Sequence, residues 1–137
     1  MDQLYNFGHN FGIFGKPGTG KTTKLIEIIY LALKQKKQIA VTTPTGLAST
    51  NFIHLQTNNQ NSLKISTIDS FFHTEDGRFQ PEEQLQYIRA AHPQSITTYT
   101  NLNLLIIDEI GLVSEQKLTM VSIIISHIKK SEKNINL

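Results

Sequence analysis

This chain of 137 residues predicts an α/β fold, a parallel β-sheet flanked by helices on both faces. Three observations lead there. Short apolar runs alternate along the chain with longer stretches of helix formers. A glycine-rich loop, GKPGTGKT, separates the first apolar run from the first helical stretch. Two adjacent acids, Asp108 and Glu109, follow the last apolar run, where an open parallel sheet presents its ligand-binding edge.

FGIF (11–14) ends at a glycine and suits a buried strand. KTTKLIEIIYLALKQKK (21–37) suits a helix. Its apolar positions Leu25, Ile26, Ile28, Ile29, Leu31, Ala32 and Leu33 nearly encircle the axis, which predicts packing on most sides. Lys34, Lys36 and Lys37 complement the negative end of its dipole. QIAVTTP (38–44) is a second buried strand, stopped by Pro44. Residues 50–62 start apolar and run into an Asn/Gln-rich loop. LKIST (63–67) alternates as a third strand. HTEDGRFQ (73–80) reads as a turn. PEEQLQYIRAAH (81–92) is a helix with Pro81 at its first position and acids in its first turn. NLLIIDE (103–109) is a fourth strand. SEQKLTMVSIIISHIKK (114–130) is a last helix, N-capped by Ser114. No repeat and no linker divides the chain, so one domain is expected over 1–137.

Composition narrows the functional classes. Hydrophobic residues make up 39% and charged residues 18%, a globular balance. The net charge of +2 permits nucleic-acid binding without arguing for it. The absence of cysteine excludes disulfides and thiolate metal sites. No apolar run is long enough to span a membrane, and the first ten residues lack the basic flank and apolar core of a signal peptide. An intracellular protein is therefore expected. The five histidines are scattered, which suits surface or core roles better than metal ligation.

Gly15, Lys16, Pro17, Gly18, Thr19, Gly20, Lys21 and Thr22 fit G-x-x-x-x-G-K-[ST] at every fixed position. The three glycines let the backbone wrap an anion and adopt dihedrals closed to other residues. Their N–H groups then point inward at the positive end of the following helix. Lys21 brings an ammonium to the outer phosphates, Thr22 offers a hydroxyl to Mg²⁺, and Thr23 completes the cradle. By chance, the pattern arises at about one start position in tens of thousands.

LLIIDEIG supplies a partner for that loop. Asp108 is positioned to hold the Mg²⁺ shell, and Glu109 to orient or deprotonate an attacking water. With Lys21, Glu109 is a catalytic candidate, and the pairing favours hydrolysis over transfer to a small acceptor. The two motifs together say only P-loop NTPase, with Mg²⁺ at the phosphates.

The stretches between them narrow the family. IAVTTPTGLAST (39–50) resembles motif Ia of superfamily 1 DNA helicases of the RecD-like and Pif-type branch, usually Thr-Ala-Pro-Thr-Gly-x-Ala-Ala. Thr43 and Ser49 stand in place of two of its alanines. STIDSFF (66–72) resembles the next signature, with Asp69 in place of histidine. LLIIDEIGLVS (104–114) resembles the Walker B run, with Gly111 in place of serine. The order and separation of all four blocks match the first RecA-like domain of that branch, over residues 11 to 126. The resemblance implies a helicase ATPase with single-stranded DNA passing Pro44, Thr45, Thr67, Ser70 and Phe71. It also implies a second RecA-like domain that supplies an arginine to the γ-phosphate. No such domain is expected within residues 1–137, where Arg78 and Arg89 are the only arginines. The chain thus reads as a partial RecA-like domain, one half of a motor.

Two other readings remain at this stage. Another P-loop ATPase, of AAA+ or DNA-packaging type, would carry a polar sensor strand after the last helix. A non-catalytic module would keep nucleotide binding without turnover; the missing second domain favours this reading for the isolated chain, while the intact Lys21, Asp108 and Glu109 oppose true degeneracy of its ancestor.

Overall fold

The computed structural model describes residues 21–55, 62–74 and 80–135. The strand expected at 11–14 and the loop through Gly20 lie outside these residues. The described chain divides into two compact units. One holds the residues up to Thr67 together with Leu102–Ile110; the other holds Ile68–Asn101 and the residues from Gly111 onward.

The first unit is built on three parallel strands flanked by helices. Helix α1 (Lys21–Lys34) precedes β1 (Ile39–Thr43), followed by the short α2 (Gly46–Ser49), a 3₁₀ turn at Ile53–Leu55, β2 (Leu63–Thr67) and β3 (Leu104–Ile107). The strand order is β2-β1-β3. The register aligns Ile39 with Leu63 and Leu104, and Val41 with Ile65 and Ile106. Side chains two apart on a strand share a face, so these rungs form one apolar layer. Leu25, Ile28, Ile29 and Ala32 of α1 pack into that layer with Phe52 and Leu55. Their spacing is that of a single helical stripe. Each buried leucine, isoleucine or phenylalanine here contributes roughly 1.5–3 kcal/mol. All five residues of β1 are buried, as a parallel strand covered on both faces requires.

The α1 helix differs from expectation in two respects. Its apolar circumference does not make it buried all round, since Tyr30 is 53% exposed and Leu31 and Leu33 are only partly covered. It also ends at Lys34 rather than running to 37. Lys36 adopts a left-handed backbone with φ 59°. The Lys37 N–H then reaches the Ala32 carbonyl at 3.1 Å, and the Lys36 N–H the Leu33 carbonyl at 3.0 Å. This paired closure of the helix end usually uses glycine at the turning position. With lysine there, the stop leaves no glycine signal in the sequence.

The second unit is helical. It contains α3 (Ile68–Phe72), α4 (Pro81–Ala91), α5 (Pro93–Asn101) and α6 (Glu115–Ile135). Helix α4 starts as expected, with Pro81 at its entry and Glu82 and Glu83 in the first turn. Pro93 breaks the helical run at His92, whose N–H still closes α4 on Ile88 at 2.7 Å. Helix α6 begins as expected, its Ser114 Oγ accepting from the Lys117 N–H at 3.2 Å. Val121, Ile124, Ile125 and Ile128 form its buried stripe. No helix among the described residues is long and apolar enough to cross a membrane.

Candidate functional site

The carboxyl ends of the three strands lie level. Thr43 and Thr67 are register partners, and the Asp108 N–H donates to the Thr42 carbonyl at 2.9 Å. The sheet therefore brings together the chain leaving β1 at Pro44 and Thr45, the end of β2 at Thr67, and the acid pair beyond β3. Such an edge is where open parallel sheets bind ligands.

Asp108 is 3% exposed and Glu109 is half-buried. Glu109 has φ 55°. A non-glycine residue held in the left-handed region costs of order 1–3 kcal/mol and concentrates at functional sites. Lys36 and His73 share this backbone, but each of them closes a helix; Glu109 instead follows a strand. It turns the chain directly after Asp108.

Of the phosphate-loop residues, Gly15, Lys16, Pro17, Gly18, Thr19 and Gly20 lie outside the described residues. Lys21 and Thr22 open α1, and Thr23 is exposed in its first turn.

Thr45 is exposed and N-caps α2, its side chain accepting from the Ala48 N–H at 3.3 Å; Pro44 is half-buried. The two motif departures nearest this point meet each other. Thr43 Oγ1 donates to the Thr45 carbonyl at 2.8 Å, so the Ser49 hydroxyl donates to Thr43 Oγ1, also at 2.8 Å. Both residues are buried, and each hydroxyl is satisfied.

In the helical unit, Ser70 is exposed on α3 and Phe71 is 9% exposed. The Phe71 ring packs against Phe72 at 4.9 Å and Tyr99 at 5.3 Å between centroids. Asp69 has two partners: its Oδ1 accepts from Thr74 Oγ1 at 2.7 Å and pairs with Lys117 Nζ at 2.5 Å. His73 stacks on His92, with centroids 3.7 Å apart and planes 5° from parallel.

Sequence reasoning missed Gln84, Tyr99 and Lys117, which hold α3 from three other helices. Gln84 carried a usable signal: it is a polar residue on the buried stripe that also holds Leu85 and Ile88. A polar side chain there requires a partner.

Comparison with known proteins identifies the family. A family model described as "AAA domain" matches residues 7–133. The RecBCD enzyme subunit RecD of Buchnera aphidicola subsp. Acyrthosiphon pisum (strain APS) is 33% identical over 134 residues, covering 90% of this chain and 21% of that protein. The chain thus spans about a fifth of the length of this curated relative. No solved structure matches the chain significantly. With parallel strands flanked by helices, the chain belongs to the AAA domain family, as a RecD-like domain of RecA-like fold.

Proposed function

We propose that the chain is the nucleotide-binding half of a DNA helicase motor, which binds Mg·ATP and supports its hydrolysis. In this reading Gly15, Lys16, Pro17, Gly18, Thr19, Gly20, Lys21, Thr22 and Thr23 cradle the phosphates. Thr22 and Asp108 hold Mg²⁺, and Glu109 orients and deprotonates the attacking water. Single-stranded DNA passes Pro44, Thr45, Thr67, Ser70 and Phe71, held through hydroxyls and backbone without reading sequence. Lys117 meets the charge of Asp69, so that carboxylate repels a passing phosphate less. The partner implied is a second RecA-like domain that closes over the nucleotide.

The observation that supports this reading is the left-handed Glu109 beside the buried Asp108, at a strand exit of the kind at which open parallel sheets bind ligands. An acid pair that served only as a solvated strand end would not need the strained backbone.

Calorimetry of Mg·ATP binding to the chain tests it. Lys21→Ala removes a charge-assisted hydrogen bond of about 1.5–3 kcal/mol, a loss of roughly tenfold to more than a hundredfold in affinity. Equal affinity for both proteins would overturn the phosphate-loop assignment. Residues 1–137 alone should hydrolyse slowly and unwind no fork, because a supplied arginine is worth about 10³–10⁵ in rate.

A further inference from the structure

Helix α3 has only five residues, too few to hold a helical shape by themselves. Its C-terminal carbonyls should be orphans of the helix end. The structure meets three in succession with side chains from neighbouring helices. Tyr99 of α5 donates its hydroxyl to the Phe71 carbonyl. Gln84 of α4 donates Nε2 to the Phe72 carbonyl at 3.1 Å and to the His73 carbonyl at 2.5 Å. Tyr99 is fully buried and Gln84 is 2% exposed. Burial pushes the Tyr99 phenol well above its ordinary pKa, against the opposing effect of its hydrogen bond with Ser95, so it remains a neutral donor. A buried amide and a buried phenol are costly to place. Here both are aimed at the backbone of one short segment, the segment that carries Ser70 and Phe71.

We propose that Gln84 and Tyr99 are positioning residues for the nucleic-acid path: they fix the backbone of α3 and so set where Ser70 meets a DNA phosphate. The proposal rests on the reading of Ser70 and Phe71 as path residues. Neither Gln84 nor Tyr99 touches the strand. Gln84 presents two amide hydrogens to two successive carbonyls, which a carboxylate cannot do. Tyr99 adds ring contacts with Phe71 and Phe72, so Tyr99→Phe removes one hydroxyl and keeps the packing.

The test measures anisotropy of a fluorescent oligo-dT with the full 137-residue chain, and binding of a fluorescent Mg·ATP analogue, well below the melting temperature. Tyr99→Phe should weaken oligo-dT binding by about three- to tenfold, the worth of one hydrogen bond, and leave nucleotide affinity unchanged. Gln84→Glu should bind oligo-dT poorly at pH 8. It should recover toward wild type at pH 6, as the buried carboxyl takes up a proton and becomes a donor again. Nucleotide affinity of Gln84→Glu should stay at wild type at both pH values; a merely structural role would lose and regain nucleotide binding together with oligo-dT binding. If Gln84→Glu fails to fold, Tyr99→Phe carries the test alone. Wild-type oligo-dT affinity in Tyr99→Phe, while Ser70→Ala binds more weakly, would overturn the positioning role and leave the path standing. Wild-type affinity in Thr45→Ala, Thr67→Ala and Ser70→Ala together would overturn the path reading and this proposal with it.

Discussion

The chain leaves β1 and β2 at residues that are register partners, Thr43 and Thr67, yet the two exits are held differently. After β1, the departures from the helicase pattern, Thr43 and Ser49, lie six residues apart and satisfy each other. After β2, the departure is Asp69, whose partners are Thr74 and Lys117 of α6. The helix it opens is held further by Gln84 and Tyr99 from α4 and α5. The first exit is a self-contained local unit. The second is shaped by side chains remote in sequence. A substituted motif can therefore keep its shape in two ways, by a compensating change nearby or by recruitment of a distant partner.

The largest effect that can break this comparison lies at the first exit. Thr43→Ala removes the acceptor of the Ser49 hydroxyl and the donor to the Thr45 carbonyl, both buried or partly so. It should cost about 1–3 kcal/mol. Ser49→Ala removes only one donor and should cost less. The double variant should cost less than the sum of the singles, with coupling of about 1 kcal/mol, because no hydroxyl is then stranded. Urea denaturation of the four proteins measures it. Strictly additive costs would mean that the two residues are independent, and the local unit would dissolve.

The same contrast explains what could be read from the sequence. The strand at 63–67 matches its expectation to the residue, and both ends of α4 and the start of α6 match to within one residue, while α6 runs five residues past its expected end to Ile135. Apolar runs, Pro81 and Ser114 act locally, and the sequence shows them directly. The acids Asp108 and Glu109 stand out in the sequence just as directly, because a charged pair after an apolar run needs no partner to be recognised. Helices α2, α3 and α5 were not foreseen. Helix α3 is held by Gln84 and Tyr99, and α5 emerges only because Pro93 restarts a helix after His92. The left-handed backbone at Lys36, His73 and Glu109 was equally hidden, since none of the three is glycine.

Two of these left-handed residues give the next test. Lys36 and His73 both turn the chain at a helix end, the latter letting the Thr74 N–H reach the Asp69 carbonyl at 3.0 Å. Lys36 is exposed, so Lys36→Gly should relieve strain and stabilise by about 0.5–1 kcal/mol, the left-handed penalty less the entropy of glycine. His73→Gly relieves the same strain but loses the stack on His92 and the 2.9 Å hydrogen bond between its Nε2 and Ser95 Oγ. It should give no gain. Thermal melts compare the two. An equal gain from both would show that the second exit is held no more firmly by remote side chains than the end of α1.

The smallest effect separates the local partner of Asp69 from the remote one. Asp69→Asn keeps an oxygen that accepts from Thr74 but loses the charge facing Lys117; Asp69→Ala loses both. The Asp69 and Lys117 side chains are about a third exposed, 35% and 31%, so the ion pair belongs to the weak, partly solvated class. A cycle of Asp69→Asn with Lys117→Met should yield a coupling of about 0.2–1 kcal/mol in low salt. In 1 M NaCl, where the screening length falls to about 3 Å, the coupling should shrink toward zero. The further loss from Asp69→Asn to Asp69→Ala should survive salt, because it reports a neutral hydrogen bond to Thr74. A coupling that vanished even in low salt would leave Thr74 as the effective partner. The second exit would then resemble the first at Asp69, and its dependence on remote residues would rest on Gln84 and Tyr99 alone.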